Sequence, residues 1–109
     1  MISRLLALIV FAAAPGPSVA GFFPGSALSD HCGREMQDEF CLGYVAGIID
    51  RAEVDGASFC IPPSADLKQI GAIVAKHVAD HPEDWSLPAT YLVGEAIATA
   101  FSGLCPAKQ

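Results

Sequence analysis

Three observations predict an all-α domain, a small bundle of three principal helices stapled by disulfides after a cleaved signal peptide. Apolar residues recur at three- and four-residue steps through three separate segments of the 109-residue chain. Proline pairs and glycine turns divide those segments from one another. Four cysteines, enough for two disulfides, follow a short apolar N-terminus in a chain too short for a deep core.

Residues 1–20 read as the signal peptide. Met1 to Arg4 supplies a positive start, Leu5 to Ala14 is an unbroken apolar run, and Pro15-Gly16-Pro17 breaks it. Ser18-Val19-Ala20 then offers the small residues a signal peptidase reads, with cleavage after Ala20. An apolar run of ten is half the roughly 20 residues needed to cross a bilayer core, which argues against an anchor. The expected mature chain is soluble, periplasmic and free of the membrane.

Residues 21–30, rich in Gly, Pro and Ser, read as a flexible arm, with the helical domain over residues 31–109 and at most a short turn around Ser29 to Arg34. The first helix is expected from Arg34 to Ala52, where Phe40, Cys41, Tyr44, Val45, Ile48, Ile49 and Ala52 keep helical spacing and Leu42 and Ala46 fill the other side. Gly43 and Gly47 would each cost such a helix about 1 kcal/mol relative to alanine, so their shared face suggests a close approach by another backbone. Asp55-Gly56 marks a turn and Pro62-Pro63 stops any helix. Ser64 is the expected N-cap of the second helix, with Asp66 in its first turn. Its stripe is Leu67, Ile70, Ile73, Val74, His77 and Val78, and it ends at His81-Pro82. Ser86 is expected to cap the third helix, with Pro88 in its first turn. Ala89, Leu92, Val93, Ala96, Ile97, Ala100, Phe101 and Leu104 form its stripe, and Gly103 ends it. Strand alternation is weak throughout.

The chain holds 12 acidic and 6 basic residues. Arg4 is the one charged residue of the leader, so the mature part carries a formal charge of −7. An acidic chain with no basic cluster is a poor partner for nucleic acid or anionic lipid. Cys32, Cys41, Cys60 and Cys105 read as two disulfides in an oxidising compartment, with three connectivities open. Zinc sites favour close pairs such as C-x-x-C, and the chain has none.

Little in the residues calls for an enzyme. His77 and His81 share a helical face with Asp80 and Asp84 nearby, but Val78 stands where a zincin glutamate would follow the first histidine. Capping of the helix C-terminus is the simpler role for the pair. Asp38-Glu39, Asp50 with Glu53, and Glu83-Asp84 read as solvated faces, and Glu95 as a helix edge with some burial. No phosphate loop or nucleophile elbow occurs, so no catalytic residue, metal or cofactor is assigned. Binding is the expectation that remains. Glu53, Asp55 and Phe59 in one loop, and Glu83, Asp84 and Trp85 in another, join carboxylates to an aromatic and are candidate partner contacts.

These segments also carry a family resemblance. Phe40-Cys41-Leu42-Gly43-Tyr44-Val45-Ala46-Gly47-Ile48-Ile49-Asp50 resembles the signature helix of the Rap/Tai family, periplasmic immunity proteins against type VI secretion amidase effectors. Phe59-Cys60-Ile61-Pro62-Pro63 before Leu67-Lys68-Gln69 is similar to the family's second block. His81-Pro82-Glu83, Leu87-Pro88-Ala89, Glu95-Ala96-Ile97, Phe101 and Cys105 resemble the third. The resemblance implies a helical exported domain, often a homodimer, that occupies the cleft of a peptidoglycan amidase without catalysing anything. It assigns scaffold roles to Phe40, Cys41, Gly43, Tyr44, Gly47, Asp50, Cys60, Pro62, His81 and Pro82. The family commonly ends its last helix in Phe-Pro-Cys, whereas this chain reads Phe101-Ser102-Gly103-Leu104-Cys105. If the helices alternate up and down, Cys60–Cys105 and Cys32–Cys41 are the favoured pairs. Two other functions are compatible with these residues. One is a periplasmic acid-stress chaperone, since acid would neutralise twelve carboxylates over a thin core. The other is a metal-dependent hydrolase around His77 and His81.

Overall fold

The computed structural model describes residues 22–33, 35–56 and 59–104. The signal peptide and Cys105 lie outside the described residues. Four α-helices form among the described residues: α1 (Gly25–His31), α2 (Glu39–Val54), α3 (Leu67–Asp80) and α4 (Ala89–Phe101). Short 3₁₀ turns cover Pro82–Asp84 and Ser102–Leu104. No strand occurs among the described residues, only isolated bridges joining Pro24 to Pro88 and Cys32 to Gln37. The all-α, disulfide-stapled class is as the sequence predicts, with a short fourth helix added.

That helix corrects the expectation of a flexible arm over residues 21–30. α1 packs against α3 and α4, and its Leu28 is fully buried. Its first amides are satisfied from far along the chain. Gly25 N–H donates to Leu87 O at 2.8 Å and Ser26 N–H to Trp85 O at 2.9 Å. In return Phe23 O accepts from Ala89 N–H at 2.8 Å. This exchange also explains why Ser86 does not cap α4 as expected. Pro88 occupies the N-cap position without a side-chain bond, and a backbone carbonyl serves the first amide instead.

Helix α2 starts five residues later than expected, at Glu39 rather than Arg34. Asp38 caps it, with Oδ1 accepting from Cys41 N–H at 2.8 Å. The Cys32–Cys41 disulfide, Cα to Cα 5.2 Å, closes the segment ahead of it as a loop. For α3 the cap is Asp66, whose Oδ1 accepts from Gln69 N–H at 2.8 Å. Ser64 is bypassed because α3 begins at Leu67. The stop at His81-Pro82 and the core stripe of α4 fall where the sequence places them, with Leu92, Val93, Ala96, Ile97 and Phe101 buried. Ala100 and Glu95 are exposed, against the expectation of burial.

The core sits between α3 and α4, closed on one side by α1 and on another by Cys41 and Val45 of α2. Close helix approach does not occur at Gly43 and Gly47. A Cβ built on either meets nothing within 4 Å, and both are exposed. The tight positions are Gly71, where a Cβ would lie 2.6 Å from Leu42 Cδ2, and Gly25, wedged against Leu92 and 3.0 Å from Trp85 Cα. Opposite signs are therefore expected. In dilute protein, Gly43→Ala and Gly47→Ala each stabilise the fold by roughly 0.5–1 kcal/mol through helix propensity. Gly25→Ala destabilises it by about 1–3 kcal/mol through overpacking, because the added Cβ meets the backbone of Trp85 and Asp84. Urea unfolding midpoints read both effects.

Candidate functional site

The bare glycines open a groove. Gly43 and Gly47 lie on the outer face of α2, and with no side chain at either position Tyr44, Ile48 and Ala52 beside them line an apolar trough of about 600 Å³. Phe59 and Thr90 wall it, and Arg51 and Asp55 stand at one end. Asp55 caps the C-terminus of α2, donating its N–H to Arg51 O at 3.0 Å, and its carboxylate accepts from Arg51 Nε at 3.2 Å. That pair is solvent-exposed and adds little to stability. Gly56, at φ 75°, makes the turn that follows. The groove thus unites Gly43, Tyr44 and Gly47 of the signature helix with Asp55 and Phe59 of the first contact loop. Glu53 and Asp50 are exposed on the same helix. Burial raises the Tyr44 hydroxyl above its ordinary range.

Beside the groove an aromatic stack ties the N-terminal segment to α2. Phe23 lies over Phe40 at 4.7 Å between ring centroids and over Tyr44 at 5.1 Å, and His31 stacks on Phe40 at 4.6 Å. His31 Nδ1 donates to Asp38 Oδ2 at 2.6 Å. One carboxylate therefore caps α2 with one oxygen and holds the end of α1 with the other. The Cys41 amide and then the His31 side chain hold Asp38 below the ordinary carboxylate range. Met36, 78% exposed, projects from the disulfide-closed loop.

The second contact segment lies on a different element. Glu83 and Asp84 are in the 3₁₀ turn after α3, where Glu83 is exposed and Asp84 half-buried. Trp85 donates its indole N–H to Val78 O at 2.8 Å and packs its ring on the core. His81 and Pro82 begin this turn, while Pro62 is half-buried in the loop after Cys60. Cys60 is engaged rather than free, with backbone in the left-handed region at φ 58°.

His77 and His81 act as a helix terminus, as the sequence suggests. His81 Nδ1 donates to His77 O at 2.7 Å, and the two rings stack at 4.1 Å. They border a shallow cleft of about 340 Å³ between α3 and α4, with Lys76, Asp80 and Thr99. Among the described residues no group of three or more His, Cys, Asp and Glu gathers to hold a metal ion. Burial and then the adjacent His81 lower His77 below its usual range, against the opposing pull of Glu95, Asp84 and Asp80.

Both shifted groups make the fold acid-sensitive in the same direction. A histidine held neutral costs stability as pH falls below about 6.5, where the unfolded chain takes up the proton first. A depressed carboxylate contributes stability above its unfolded value of about 3.9 that is lost as pH falls through the lower folded value. Thermal unfolding followed from pH 7 to 3 should show a shallow decline that His77→Gln removes. A second, lower decline should be reduced by Asp38→Asn, which retains a capping oxygen.

Sequence reasoning missed Arg51, Ile48 and Thr90 as parts of the groove. The signal for Arg51 was present, since it continues the four-residue spacing of Gly43 and Gly47. Thr90 reaches the groove through the tertiary fold alone.

The sequence profile of the Rap1a immunity proteins matches residues 24–103, from the first residues before α1 to the last 3₁₀ turn. No curated protein and no solved structure matches the chain. Among the described residues no helix is long and apolar enough to cross a membrane.

Proposed function

The chain belongs to the Rap1a immunity protein family, and from that premise we propose that it binds and silences a peptidoglycan amidase effector of a type VI secretion system in the periplasm. Membership of the family implies a partner effector protein. The match over nearly the whole helical domain is the observation that carries the reading. The tripartite leader in residues 1–20 supports export to the compartment where peptidoglycan is cut.

Inhibition here is occlusion. A rigid acidic domain covers an enzyme's cleft, and the ordering entropy that a flexible inhibitor would lose on binding is already lost in folding. The acidic segments carry the contact: Glu53, Asp55 and Phe59 at the end of α2, and Glu83, Asp84 and Trp85 after α3. Carboxylates on both segments steer a basic cleft rim into register and raise the association rate at low salt. Trp85, fixed by its bond to Val78, offers a pre-ordered aromatic edge. The Cys32–Cys41 bridge keeps the scaffold closed in an oxidising compartment.

The test is capture with tagged residues 21–109 from periplasmic extract of cells making an exported amidase. Recovery of that enzyme, together with protection of cells only when the leader is retained, is the expected result. Failure to recover it from cells shown to contain it overturns the proposal.

A further inference from the structure

The C-terminal end of α3 carries two imidazoles whose chemistry capping does not exhaust. His77 and His81 lie four residues apart, and their rings stack at 4.1 Å between centroids with 21° between their planes. In the His81 ring Nδ1 donates its proton to His77 O at 2.7 Å. A neutral imidazole carries one N–H, so that bond leaves Nε2 with a lone pair. Metal-binding histidines are oriented in the same way, by a ring N–H given to a backbone carbonyl or a carboxylate. Both rings are half-buried, and both border the cleft between α3 and α4. The small side chains of Ala96 and Ala100 keep that cleft open to about 340 Å³, room for a hydrated cation. The surrounding charge has the right sign. Asp80, Asp84 and Glu95 all act on His77 through their charge. Lys76 also lines the cleft, but its Nζ donates to Asp80 Oδ2 at 2.9 Å, so Asp84 and Glu95 leave a negative balance around the rings.

We propose that His77 and His81 form a two-imidazole site for a divalent transition-metal ion, copper(II) above all, with solvent completing the coordination. Two nitrogens each about 2 Å from one ion lie about 3 Å apart, a spacing that stacked rings reach by small side-chain rotations. Imidazole suits copper, zinc and nickel, and the general order of affinity puts copper(II) ahead of the other two. Magnesium and calcium prefer oxygen ligands and are poor occupants. The site binds an ion without making a hydrolase, since Val78 stands where a general base would follow His77. His81 is the C-cap of α3 and the N-cap of the 3₁₀ turn that follows. An ion held by both rings therefore braces the junction from which Glu83, Asp84 and Trp85 are presented. The inference goes beyond the inhibitory reading and does not depend on it.

The test is titration of the oxidised mature chain (residues 21–109), made without a histidine tag, with copper(II) chloride. Calorimetry reads the affinity and electron paramagnetic resonance reads the ligands, while circular dichroism confirms that every variant folds. One ion per chain is expected, with splitting from two imidazole nitrogens. His77→Gln and His81→Gln should each weaken binding about a hundredfold, because the second nitrogen of a chelate acts at high effective concentration. His31→Gln, at a histidine bonded to Asp38 on the other side of the fold's N-terminal loop, should leave binding unchanged. Zinc(II) should compete for the same site with lower affinity, and magnesium should not compete. Copper should also raise the thermal midpoint of the wild type and of His31→Gln alone. The absence of stoichiometric binding overturns the proposal, as does copper held by a single nitrogen. Binding that survives both His77→Gln and His81→Gln, or that His31→Gln removes, overturns it as well.

Discussion

Leu28→Ala will destabilise the domain by about 3 kcal/mol, within the usual range for truncating a fully buried leucine. The side chain is 0% exposed although it sits on a seven-residue helix. A helix that short is unstable in water by itself, so α1 exists because Leu28 enters the core and the carbonyls of Trp85 and Leu87 receive its first amides. Small domains bury too little surface to absorb such a loss comfortably. The urea midpoint should fall with the slope unchanged, the mark of lost stability rather than a changed unfolded state. A change within about 0.5 kcal/mol, as for an ordinary surface position, would mean that residues 21–30 are a loose arm after all.

Removing the Cys32–Cys41 bridge is expected to have a comparable effect. Replacing both with alanine, so that no hydroxyl is buried where Cys32 and Cys41 are 2% and 0% exposed, should cost about 3 kcal/mol from the loop-closure relation. The loss has a visible path. With the bridge open, α1 is held to α2 by the His31–Asp38 pair and the ring stack on Phe40, both at the surface. Guanidine unfolding of the double variant reads the effect, and near wild-type stability would contradict it. Peptide mapping without reductant should also find Cys60 joined to Cys105.

Much of this fold is legible in the sequence, and the exceptions share a physical cause. α3 and α4 announce themselves because their stripes are long and proline marks their ends locally. α1 does not, because one leucine makes no stripe and its hydrogen-bond partners lie some sixty residues away. The start of α2 moves from Arg34 to Glu39 because Asp38 caps the helix while the bridge holds the preceding residues in a loop. Asp66 displaces Ser64 as a cap for the simple reason that it immediately precedes Leu67, the first helical residue.

The candidate site is legible in a different way. Gly43 and Gly47 suggest a close approach, but the chain's own close approaches are at Gly71 and Gly25, so spacing alone names the wrong glycines. Asp55 and Phe59 converge with the glycines in one groove, whereas Glu83, Asp84 and Trp85 stand on another element. Trp85 serves the core through Val78 as well as showing an edge outward, a division of labour that composition cannot reveal. Exposure of Glu95 likewise follows from the rotation of α4, which apolar neighbours in sequence do not fix.

On the proposed reading, this chain silences a peptidoglycan amidase by covering it. The most direct measurement is hydrolysis of purified peptidoglycan by the captured amidase while oxidised residues 21–109 are titrated in. Hydrolysis should fall in proportion to added protein and stop at one chain per enzyme, with no change in the inhibitor itself. Undiminished hydrolysis with the two proteins fully bound, or no complex at any ratio, would contradict it.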